Sequence, residues 1–122
     1  MAIATTALDG RFSTKIIQNT DVDENAVIDI TGGTGKVYYV QVTSGSLSST
    51  CYFKLYDQAS IDLSTSQAPI LILSIPASVT KEVIIPDGLP YNTALSFAMV
   101  TTPGDTGGSG PSATCSCFIV AS

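Results

Sequence analysis

Three cysteines, an acidic run and a glycine-rich segment are the parts of this chain with reactive or ligand-binding potential. Cys51, Cys115 and Cys117 are an odd number, which does not build a disulfide framework. Cys115 and Cys117 are two apart, so on a strand they share one face. The 122 residues contain no histidine, and a zinc site would lack its usual partner ligands. The expected state is three free thiols acting as small buried hydrophobes. Asp21, Asp23, Glu24 and Asp29 carry the oxygens that calcium uses, but the loop-wide spacing of an EF-hand is missing. A solvated acidic loop is expected there, and whether Asp21, Asp23 and Glu24 hold an ion is a question for the structure. Gly32-Gly33-Thr34-Gly35-Lys36 has the look of a phosphate-binding loop, yet Ile30 stands where that pattern needs Gly and Val37 where it needs Ser or Thr. It reads as a turn.

Catalytic equipment is equally thin. Without histidine there is no Ser–His or Cys–His pair and no imidazole base. Gly107-Gly108-Ser109-Gly110 runs into Pro111 and does not form a nucleophile elbow. Two carboxylates such as Asp62 and Glu82 are what a glycosidase would require, but no acid falls on the inward face of an expected strand. No catalytic residue, metal ligand or cofactor is expected. Three tyrosines, Tyr39, Tyr52 and Tyr56, offer a different chemistry. If the strands that carry them pair, they form one exposed aromatic strip able to stack on sugar rings.

Charged residues make up 12% of the chain and the net charge is −5, where an ordinary domain carries about a quarter charged residues. Ser, Thr and Gly take their place, giving a polar surface that is cheap to desolvate against a partner. The cations, Arg11, Lys15, Lys36, Lys54 and Lys81, are scattered and make no stripe for phosphates. Neither nucleic acid nor a membrane is expected as a partner. Residues 1–8 lack the charged start and apolar core of a signal peptide, so the chain is expected to be made and held in a cytoplasm until something releases it.

The elements that must position these groups are short apolar runs punctuated by Pro, Gly, Ser and Asn, which read as strands. Residues 1–25 are polar, with Phe12, Ile16 and Ile17 as the sizeable anchors, and read as an extended arm with a short strand near 13–18. Residues 26–122 read as one antiparallel β-sandwich, jelly-roll order being one option. In 36–43, Tyr38, Val40 and Val42 are expected inward and Val37, Tyr39 and Gln41 outward. In 51–57, Cys51, Phe53 and Leu55 point inward and Tyr52, Lys54 and Tyr56 outward, and the two strands are expected to pair. Runs at 70–75, 83–85 and 95–100 follow, with Pro86-Asp87-Gly88 as a turn between the last two. Leu95, Phe97 and Met99 form a core face. Residues 59–68 cross between sheets, and 102–112 is an exposed loop expected to be mobile unless bound. The closing strand, 113–120, puts Cys115, Cys117 and Ile119 on one face and Phe118 and Val120 on the other. Apolar residues on both faces mark Phe118 and Val120 as a subunit interface.

From position 37 to 120 the chain resembles small virion structural proteins of tailed bacteriophages. The resemblance is carried by VYYVQV, CYFKLYD, APILILSIPAS, VIIPDGLPYNTALSFAMVT and the Gly/Ser loop with its final strand. That family is similar to capsid cement (decoration) proteins, β-sandwiches that trimerise on the outer shell. The resemblance implies a non-enzymatic structural role on the capsid exterior, a homotrimer, and the major capsid protein as partner. The arm residues Phe12, Ile16 and Ile17 would contact the capsid. A head-fibre or tail attachment domain of the same fold is the alternative within that setting, and a carbohydrate-binding module using the tyrosine strip is the alternative outside it.

Overall fold

The computed structural model describes residues 3–7 and 15–122. Strands β1 (Ile3–Ala7), β2 (Lys15–Asn19), β3 (Gly35–Thr43), β6 (Thr80–Tyr91) and β8 (Ser116–Ala121) form one sheet in the order β1-β2-β8-β3-β6. Strands β4 (Cys51–Asp57), β5 (Leu71–Ile75) and β7 (Leu95–Val100) form the other, in the order β5-β4-β7. All pairings are antiparallel. Residues 23–30 run along the free side of β7, through Met99 N–H to Asp23 O, a reciprocal Val27–Phe97 pair and Ile30 N–H to Leu95 O, at 2.9–3.0 Å. With that segment counted as a broken strand, the order is that of a jelly roll with one extra edge strand, β1.

The core lies between the sheets. Ile17, Val37, Val40, Val42 and Ile119 come from the larger sheet, and Phe53, Leu55, Leu95, Phe97 and Met99 from the smaller; all are fully buried. Phe53 and Phe97 stack at 5.6 Å between ring centroids. Alternation along β4, β7 and β8 is as the sequence implies for the inward residues.

Several expectations are corrected. Residues 15–25 are not a free arm: β2 lies between β1 and β8, and Ile17 and Val22 are buried in the core. Ile17 therefore cannot be an outward anchor, Ile16 is half-buried on the outer face, and Phe12 lies outside the described residues. In β3 the inward residues are Val37, Val40 and Val42, with Tyr38 half-buried. A register shift between Val37 and Tyr39 inserts a residue and breaks the two-residue period on which the sequence reading relied. Strands β3 and β4 do not pair at all but sit in opposite sheets.

Pro86-Asp87-Gly88 is not a turn between strands either. Val37 faces Leu89 and Tyr39 faces Ile84, so a step of two on β3 meets a step of five on β6. The excess bulges out of the edge strand, with Gly88 at φ +80°; a Cβ there would come within 2.8 Å of the Lys36 Cβ, so the position needs glycine.

The outer face of β4 is covered as well. Lys54 and Tyr56 are fully buried beneath the segments that follow β4 and β7. The Lys54 ammonium donates to Gly104 O, Gly107 N–H to Leu63 O and Thr101 N–H to Ser109 O. The Gly/Ser loop is thus pinned as a cover. Burial draws the Lys54 pKa down while the Asp105 carboxylate pulls it back up, which fits an ammonium held under a polar strap.

Phe97 is at the centre of this packing, cross-strand from Leu55. Phe97→Ala should cost about 3–5 kcal/mol, a large part of the stability of an ordinary domain. Urea unfolding reads this directly, and an unchanged midpoint would mean the ring is not a core contact.

Candidate functional site

The groups with reactive potential do not converge. Cys51, Cys115 and Cys117 are free and buried. Burial raises all three thiol pKa values, that of Cys117 to about 12. Protonated thiols are poor nucleophiles and ligands, so these three serve as packing groups.

Asp21, Asp23 and Glu24 border an open notch of about 270 Å³ with Pro111 and Ser112. Among the described residues no three His, Cys, Asp or Glu side chains are placed to hold a metal ion. Asp23 instead accepts from Asn25 N–H at 2.8 Å, closing a local turn. Asp62 accepts from the Ser64 hydroxyl and N–H, and those bonds lower its pKa. Glu82 lies on β6 and accepts from Tyr39 Oη at 2.6 Å. The two acids are held by these separate partners, Asp62 in the connection after β4 and Glu82 on β6. The tyrosine strip is not formed. Tyr39 is on the larger sheet, Tyr52 and Tyr56 are on the smaller, and Tyr56 is buried with its hydroxyl unpaired among the described residues.

What the fold does assemble is the outer face of the five-stranded sheet. Paired residues across a sheet point the same way, and Ile16, Val120, Tyr39 and Ile84 are paired in succession across β2, β8, β3 and β6. Ile84 is 66% exposed. The next row is Ala4, Gln18, Phe118, Gln41 and Glu82. Phe118 meets Tyr39 edge to face at 6.2 Å. Gln41 Nε2 donates to Tyr39 Oη at 3.1 Å, and the hydrogen bond to Glu82 holds the phenol pKa above its usual value. An aromatic pair, its tyrosine held by hydrogen bonds, thus joins the apolar row to the row beside it.

No family model, curated protein or solved structure matches the chain.

Phe118 and Val120 therefore lie where the alternation of the last strand places them, on the outer face, and Ile16 joins them there. Ile84 escaped notice in the sequence because the following Pro-Asp-Gly reads as a turn; its neighbours Val83 and Ile85 disguise a strand that alternates in and out. Tyr39 was expected outward and is, but beside Phe118 rather than beside the tyrosines of β4.

The buried thiols give a pH signature. Cys117 titrates at about 12 in the folded chain against an ordinary 9. Burial favours the neutral thiol, so its contribution is complete below pH 9 and is lost as pH rises towards 12. Stability should fall by up to about 1.4 kcal/mol per pH unit across that window from this group alone. Cys51, Cys115, Tyr56 and Tyr91 act with the same sign, and Lys54 with the opposite one. Comparing wild type with Cys117→Ala isolates the contribution of this thiol. The variant should show a shallower alkaline decline in urea midpoint, whereas parallel curves would mean the thiol is not buried as described.

Proposed function

We propose that the chain is a non-enzymatic structural protein of a bacteriophage virion, a capsid cement protein that assembles as a homotrimer and binds the major capsid protein on the outer shell. The observation that carries this reading is the apolar row Ile16, Val120, Tyr39 and Ile84 across four strands, with Phe118 beside it. Contiguous apolar surface on one face marks an interaction site, and few charges stand in its way. The resemblance of CYFKLYD, APILILSIPAS and VIIPDGLPYNTALSFAMVT to phage virion proteins supplies the setting. Residues expected on two separate surfaces, Ile16 on a capsid-facing arm and Phe118 and Val120 at a subunit interface, share one face in this reading. Capsid and subunit contacts then compete for it or lie side by side along it.

Substitution tests this better than truncation, because removing residues 2–20 would also take Ile17 out of the core. Ile84→Asp is the cleanest change, since the side chain is largely in water before any contact forms. The wild-type chain should sediment as a trimer at micromolar concentration and travel with intact particles through a density gradient. Ile84→Asp and Val120→Asp should lose both properties while melting within a few degrees of wild type. A wild-type chain that stays monomeric and absent from particles would defeat the proposal.

A further inference from the structure

Phe118 stands in the row beside the apolar one, and beyond it the outer face of the larger sheet changes character. A notch of about 190 Å³ opens there, with Phe118 as its aromatic wall. Gln18 and Gln41 are the direct cross-strand neighbours of Phe118, one on each side. Thr43 and Ser116, paired with each other one step along, and Thr20 supply hydroxyls around the rim. Asn19 and Cys117 also border it; both are buried on the core side of their strands, so the floor they give is main chain.

This lining is specific in its chemistry. It contains an aromatic ring, two primary amides and three hydroxyls, and no lysine, arginine, aspartate or glutamate. Amides and hydroxyls both donate and accept, as sugar hydroxyls do, and an aromatic face accommodates the apolar side of a sugar ring. Gln41 keeps its Oε1 as an acceptor while its Nε2 is used on Tyr39. A charged ligand would find no counter-charge, and burying it unpaired is costly; the net charge of −5 further disfavours anions. The volume suits one ring, well below the roughly 300 Å³ where drug-sized sites begin.

We propose that this notch binds one unit of a neutral saccharide, stacked on Phe118 and hydrogen-bonded by Gln18, Gln41, Thr43 and Ser116. The site differs from a tyrosine strip shared by β3 and β4, which the separation of those strands excludes. It stands independently of the virion reading. Phe118 meets Tyr39 towards the apolar row and the notch on its other flank, so a contact along that row leaves the notch accessible.

The test is ligand-observed saturation-transfer NMR on the purified full chain, with methyl glycosides of glucose, galactose, mannose and N-acetylglucosamine as probes. Sialyllactose and a short Phe-containing peptide serve as comparisons, and thermal melts confirm that each variant is folded. At least one neutral glycoside should receive saturation. Phe118→Leu, which keeps an apolar side chain but removes the ring, and Gln41→Ala should each weaken it by about tenfold. Ile72→Ser, on the other sheet, should leave it unchanged. The proposal is overturned if no neutral glycoside responds, if the response persists in both folded variants, or if sialyllactose or the peptide binds more tightly than every neutral glycoside.

Discussion

Insertion of β8 between β2 and β3 is the constraint on which the rest of this structure depends. The last strand pairs with the second and third, so the sheet cannot close until the two ends of the chain have met. Its alternation then fixes both faces at once: Cys117, Ile119 and Ala121 go into the core, while Phe118 and Val120 go outward. A slip of one residue would exchange the two sets and put aromatic bulk into a filled core. The same register that secures the fold therefore creates the exposed apolar row. Stability and the proposed interaction surface are two consequences of one pairing.

The smaller sheet solves a different problem. With three strands it cannot protect β4 on its outer side, and polar connections do so instead. Lys54 reaches Gly104 O from below the Gly/Ser loop, and Asp57 accepts from the main-chain N–H groups of Asn92, Thr93 and Ala94 at 2.7–3.3 Å. These bonds, led by the one from Asn92, depress the Asp57 pKa. On the larger sheet, Pro86, Pro90 and the bulge around Gly88 disrupt the edge strand β6, a common defence against uncontrolled strand addition. Among the described residues its outer face carries no comparable cover, so the proposed contact falls on the face rather than on the edge.

Much of the core was legible from local alternation. Cys51, Phe53 and Leu55 in β4, Leu95, Phe97 and Met99 in β7, and Ile119 in β8 follow the two-residue period and are buried as that period implies. The period failed where the backbone itself departs from it. The register shift beside Tyr38 reversed the inward set at the start of β3, and the bulge in β6 hid a strand behind turn chemistry. Tyr56 and Lys54 were misplaced for another reason: their burial comes from segments distant in sequence, and no local pattern encodes a loop folding over a sheet. Partner choice was illegible in the same way. Nothing in the composition of β3 and β4 says that they belong to opposite sheets, and a polar stretch before Ile17 concealed a core strand. The exposed face was half visible, since Phe118 and Val120 announce themselves, but Ile16, Tyr39 and Ile84 join them only through long-range register.

The central claim is that the apolar row Ile16, Val120, Tyr39 and Ile84 on the outer face of the five-stranded sheet is buried by association. Hydroxyl-radical footprinting across a concentration series, read by mass spectrometry at side-chain level, measures this most directly. Ile84, Tyr39 and Val120 should become protected together as the chain is concentrated, while Ile72 and Ile28, exposed elsewhere on the molecule, keep constant labelling. Equal labelling of Ile84 at every concentration, and again on particles mixed with the chain, would contradict the account.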